Sequence, residues 1–253
     1  MRTTLGLGMA LALAACAPSG GTVPSTHAPD QYAAAVADTQ RPQADRDRDA
    51  ARLPAEILAF AQIDPGEKVG DFIMGGGYWT RLLSTAVGPG GKVYAFQPDE
   101  FIAFRPAYGD EQNAAVSGRP NVVALRGSIA APPFPEPLDT IITVQNMHDL
   151  YIGAMPQGTG PKALAALFAA LKPGGTLLVV DHSAVPGAGV AAANAVHRMD
   201  LQEAIAALTD AGFTVEAESE LYRRPDDPRT ANVFDPAIRG KTDQFVLRLR
   251  KPE

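Results

Sequence analysis

Three acid and histidine neighbourhoods carry the chemistry that this chain could perform: His148-Asp149, Asp181-His182, and His197 with Asp200. Imidazole ionises near neutrality, so a histidine beside a carboxylate is suited to take or give a proton. His148 stands in Gln145-Asn146-Met147-His148-Asp149-Leu150, directly after the apolar run Thr140-Ile141-Ile142-Thr143-Val144. It reads either as a general base or as a structural histidine closing a strand end. Asn146 would bind substrate or cap a turn. His197 and Asp200 are expected to share a helical face. If all these groups met at one rim they would also hold a divalent ion, but no local spacing is a metal signature, and no residue is assigned as a metal ligand.

Glycine supplies the second chemical feature. The run Val69-Gly70-Asp71-Phe72-Ile73-Met74-Gly75-Gly76-Gly77-Tyr78-Trp79-Thr80 places three glycines after an apolar segment. Without side chains the backbone can approach a bound group and take positive φ at little cost. The three also make a turn by themselves. As a dinucleotide motif the run lacks the third glycine that packs helix against strand. Tyr78 and Trp79 either pack on a sheet or stack on a ligand.

These groups need elements to hold them. From Leu53 onward the pattern alternates, predicting helices over 54–60, 78–87, part of 101–117, 162–171 and 196–211. Strands are predicted over 68–73, 92–97, 122–126, 139–145, 176–181, 213–221 and 244–250. Runs such as Leu177-Leu178-Val179-Val180 are apolar on both faces, as central strands of a parallel sheet covered by helices should be. The last two strands would make an antiparallel edge. Between them, Tyr222 to Thr242 is too long for a hairpin turn and reads as a lid or as padding. Its Arg223-Arg224-Pro225-Asp226-Asp227-Pro228-Arg229 nearly cancels in charge, which favours a solvated loop with local ion pairs over an anion clamp.

The order of elements over roughly 53–251 resembles the class I S-adenosylmethionine-dependent methyltransferases. The acid and glycine loop at Asp71 to Gly77 is similar to that family's first motif, and Leu171-Lys172-Pro173-Gly174-Gly175-Thr176 to its turn into the fifth strand. The resemblance implies an α/β, Rossmann-like fold: a mostly parallel seven-stranded sheet with helices on both faces and an antiparallel edge strand. It implies S-adenosylmethionine as cofactor, held by Asp71, Gly75, Gly76, Gly77, Gln97, Ser128 and Gln145. His148 would be the base, and Asn146, Asp149 and His182 would face a small-molecule acceptor. Three departures bear on this: Ile73 replaces the first glycine, Gln97 an acid for the ribose, and Ser128 an acid for the adenine. A non-catalytic binding module and a metal-dependent enzyme are the other readings.

The amino terminus follows a separate logic. Arg2, the apolar run 5–14 and Leu13-Ala14-Ala15-Cys16 read as a signal peptide ending in a lipobox, with Cys16 as the lipidation site. Residues 17–50 read as a flexible tether and 51–253 as the folded domain. The expectation is a bacterial envelope lipoprotein on the periplasmic face of the outer membrane, anchored through Cys16. The 22 Lys+Arg against 28 Asp+Glu leave a net charge of -6, which excludes nucleic acid as an expected partner. The single cysteine excludes a disulfide within the chain.

Overall fold

Seven apolar segments pair into one sheet in the order β3-β2-β1-β4-β5-β7-β6. The computed structural model describes residues 26–253. The strands are β1 (Lys68–Phe72), β2 (Lys92–Pro98), β3 (Val122–Gly127), β4 (Leu138–Val144), β5 (Leu171–His182), β6 (Thr214–Ser219) and β7 (Gln244–Arg250). Strands β1 to β5 pair parallel, whereas β7 runs antiparallel between β5 and β6. The fold is therefore the methyltransferase Rossmann-like one that the sequence implies, with the antiparallel strand one place in from the edge.

Both faces of the sheet are covered, which is why the central strands need apolar residues at successive positions. Phe72, Phe96, Ile141 and Val179 pack on one face with α8 (Thr159–Ala170) and α10 (Leu201–Asp210). Val69, Val93, Ile142 and Val180 pack on the other with α4 (Pro54–Ala61) and α5 (Tyr78–Val87). The helical pattern over 101–117 becomes two helices, α6 (Asp99–Phe104) and α7 (Ala107–Val116), on either side of Arg105 and Pro106.

The helix expected over 196–211 is also two. α9 (Ala191–Val196) stops at His197, whose φ is 53°, and α10 begins after Asp200. The Asp200 carboxylate accepts from the Gln202 amide at 2.8 Å and the Gly187 amide at 2.6 Å, so it is a helix cap. His197 and Asp200 thus share no helical face, because the chain turns between them.

The tether reading fails over 26–50. The short helices α1 (Ala33–Val36), α2 (Gln43–Arg46) and α3 (Asp49–Arg52) lie against the domain, with Tyr32 in the apolar core. The Tyr32 hydroxyl donates to Ile63 O at 2.8 Å. Charges that look solvated in sequence are paired: Arg41 with Asp49 at 2.6 Å, Arg81 with Asp45 at 2.7 Å, and Arg119 with Asp38 at 2.9 Å. One-turn helices leave no amphipathic period to read, which is why composition misleads here. Cys16 and the leader lie outside the described residues. Among the described residues no helix is long and apolar enough to cross a membrane.

Candidate active site

The site forms where parallel strands end side by side. Strands β4 and β5 pair in register with Val144 opposite Val180, so the segment after β4 meets the end of β5. A short 3-10 turn, His148–Tyr151, follows β4 and presents His148 to Asp181. The His148 Nδ1 lies 2.8 Å from Asp181 Oδ1, and the His148 amide donates to Asp181 Oδ2 at 2.6 Å. The His182 amide also donates to Asp181, at 2.7 Å. Asp181 is fully buried, and with both oxygens committed it fixes the imidazole ring in one orientation. His148 Nε2 is left beside Asp149 Oδ1, 3.4 Å away.

Burial by itself would push His148 down, but the Asp181 carboxylate, its hydrogen bond and Asp149 together raise it to about 9. Desolvation lifts Asp149 to about 6, against the pull of His148. Asp181 is desolvated too, yet His148 holds it below the usual carboxylate range. His182 is pushed down to about 4, mainly by burial, and its Nδ1 meets Thr242 Oγ1 at 2.8 Å. The histidines therefore divide: the Asp181 carboxylate favours a proton on His148, whereas burial favours the neutral ring of His182.

A cavity of about 690 Å³ opens on this cluster, lined among others by Asn146, His148, Asp149, His197, Phe101 and Phe234. Its lining is more apolar than polar, as small-molecule sites are. One ligand atom each from His148, Asp149 and His197 lie within 4.8 Å of one another, close enough to hold a divalent ion, although the sequence singled out no ligand set. His197 packs edge-on to His148, ring centroids 5.5 Å apart, and to Phe234 at 4.9 Å.

The residues expected around a cofactor are placed less uniformly. Asp71 is buried, and its carboxylate accepts from Thr80 Oγ1 at 2.5 Å, so it anchors the start of α5. Ile73, where the resemblance expects glycine, has φ 63° and is buried in the core. Gly75 is open, with nothing within 4 Å of a would-be Cβ, and the carbonyl of Gly76 accepts from Arg81 at 2.7 Å. Gly77 has φ 81°, and an added Cβ would lie 2.4 Å from Ala115 Cβ. Gly77→Ala is accordingly expected to cost about 2 kcal/mol or more in urea unfolding, because the backbone and the neighbouring helix both resist it. A loss under about 0.5 kcal/mol would show that α7 yields freely.

Gln97 bears most directly on a cofactor. It is wholly buried at the carboxyl end of β2, and neither amide atom has a hydrogen-bond partner among the described residues. A buried unpaired amide is costly unless a ligand completes it. Ser128 donates to Glu100 at 2.9 Å, and Glu100 also accepts from the Ile129 amide at 2.9 Å. Asn146 ties the end of β4 to the glycine loop, donating to Ile73 O at 3.0 Å. Gln97 and the open backbone at Gly75 are thus compatible with a bound S-adenosylmethionine, while Asp71 and Ser128 are already paired, with Thr80 and Glu100. The partnership of Asp181 with His148 escapes a local reading of the sequence, although adjacent ends of parallel strands offered a signal for it.

No family model matches the chain. Its fold is similar to that of a SAM dependent methyltransferase from Aquifex aeolicus, 22% identical with a TM-score of 0.58, covering 88% of this chain and 98% of that one. The arsenic (III) S-adenosylmethionine methyltransferase CrArsM from Chlamydomonas reinhardtii is 16% identical with a TM-score of 0.56, covering 88% and 73%. A TehB-like SAM-dependent methyltransferase from Corynebacterium glutamicum is 17% identical with a TM-score of 0.54, covering 82% and 95%. At such identities the likeness establishes the fold alone.

Proposed function

We propose that the protein transfers a methyl group from S-adenosylmethionine to a small molecule held in the 690 Å³ cavity, with His148 as the proton acceptor. One observation carries this reading: Asp181 binds Nδ1 of His148 and leaves Nε2 toward Asp149, and both residues line the cavity, the arrangement that makes an imidazole a directed base. When bound, S-adenosylmethionine supplies a methyl group activated by a positively charged sulfur. Gln97 and the backbone around Gly75 would hold it, and the Asn146 bond to Ile73 O keeps that loop at the end of β4. In its neutral form, the minority near pH 7, His148 would accept the acceptor's proton at Nε2, and Asp181 would stabilise the imidazolium that results. Asp149 and His182 border the same space, one carrying negative charge and one a neutral ring.

Calorimetric titration of the protein with S-adenosylhomocysteine tests the cofactor half of this reading. Micromolar binding that weakens roughly tenfold in Gln97→Leu is the expected result, since the variant removes the amide that a polar ligand would complete. Absence of binding at millimolar concentration would mean that the fold serves as a non-catalytic module. Stoichiometric zinc or another divalent ion in the purified protein would make His148 a ligand and replace the proton-transfer reading.

A further inference from the structure

A second cavity, of about 350 Å³, lies on the other side of the same wall, and its lining includes Arg48, Arg52, Arg239, Trp79, Gln145 and Gln244. Among the described residues no carboxylate lines it. Arg52 is half-buried, stands over the Tyr78 ring at 4.6 Å and donates to Gln145 Oε1 at 3.1 Å, with no ion-pair partner among the described residues. Burial, reinforced by Arg48, lowers its pKa, as expected of a cation short of countercharge. Arg239 also has no ion pair among the described residues and lies over the Phe234 ring. Arg48 pairs with Asp45, but that single carboxylate also serves Arg81. The indole Nε1 of Trp79 is buried without a hydrogen-bond partner, and the residue as a whole is 5% exposed. One held cation, Arg52, two more exposed arginines and a tryptophan whose indole N–H has no partner therefore line one small space, a combination that suits an oxyanion.

Four residues, Gln145, His182, Val233 and Phe234, line both cavities. Gln145 holds a strained position between them, with φ 65°, its amide bridging Arg52 and Gln244. We propose that the second cavity is an oxyanion subsite that takes the carboxylate or phosphate of the molecule whose reactive end reaches His148. The acceptor is then a small anionic compound, and Arg52, Arg239 and the Trp79 indole position it. The identity of the anion as part of the acceptor rests on the proposed methyl transfer, whereas anion binding in the cavity is measured independently of it.

Trp79 is the single tryptophan of the chain, so its fluorescence reports on the cavity directly. Titration with inorganic phosphate and with acetate at fixed ionic strength should give a saturable change for at least one of them. Arg52→Met should weaken that binding about tenfold or more, and Arg52→Lys should keep part of it. Arg239→Met, at an exposed position, guards against loss of fold and should weaken binding severalfold. A linear, non-saturating response, or one that is the same in wild type and both methionine variants, would overturn the site. Repeating the phosphate titration with S-adenosylhomocysteine present distinguishes the source of the anion. Retained phosphate binding supports an acceptor group, whereas displacement would assign the cavity to the cofactor's own carboxylate and overturn the acceptor assignment.

Discussion

Asp181→Asn is expected to lower turnover by roughly two to four orders of magnitude while the protein stays folded. The carboxylate does two things that an amide cannot. It accepts both the Nδ1 proton and the backbone amide of His148, at 2.8 and 2.6 Å, and so fixes tautomer and orientation. It also supplies the negative charge that keeps His148 near 9 against the effect of burial. Asparagine can present its NH2 to Nδ1, which selects the wrong tautomer and turns the proton toward the cavity. The pH profile separates this from simple structural damage. In the wild type only the neutral imidazole accepts a proton, so kcat/KM should rise with pH and level off above about 9. In Asp181→Asn the residual activity should level off at lower pH, because the charge that raised His148 is gone. A variant that keeps turnover within about threefold of wild type, or an unchanged pH profile, would remove His148 as the base.

The second large effect concerns stability. Arg198 is fully buried, and its guanidinium binds Asp227 through two bonds of 2.8 and 3.0 Å, then donates to Ser183 O and Ala231 O, each at 2.9 Å. Asp227 in turn accepts from the backbone amides of Asp243 and Arg229. Asp243 is buried as well and pairs with Arg223 and Arg229. The long loop before β7 is thus pinned from beneath. Arg198→Met should cost about 3–5 kcal/mol in chemical unfolding, since it leaves the Asp227 carboxylate buried without its cation. That corresponds to a fall in melting temperature on the order of 10 °C for a chain of this size. The double variant Arg198→Met with Asp227→Leu should recover much of the loss, because removing both charges also removes the desolvation they suffer. A single-variant cost below about 1 kcal/mol would show the loop to be held by its other contacts.

The sign of the pH effect is fixed by Asp227. Burial works to raise its pKa, but Arg198 and the two backbone amides outweigh it and hold the carboxyl below its usual range. The stabilisation is therefore present above the ordinary aspartate value of about 4 and is lost as pH falls below it. Because the loop carries Val233 and Phe234, which wall both cavities, its loosening at acid pH or in Arg198→Met should also weaken ligand binding.

The alternation of strands and helices, the parallel core and the position of His148 at a strand end are legible in the chain alone. Those features are written in local apolar periods and in glycine and proline stops, so neighbours in the chain suffice to read them. The other features exist only once the fold has assembled. It gave His148 the partner Asp181, 33 residues away, gave Arg81 the partner Asp45, 36 residues away, and gave Arg198 the partner Asp227, 29 residues away. It packed residues 26–50, which read as tether in sequence, against the domain, broke the last long helix at His197, and left Arg52 facing a cavity without a counter-ion among the described residues. An ion pair between distant residues has no local signature, because the free energy that forms it depends on burial and geometry that exist only once the sheet has assembled.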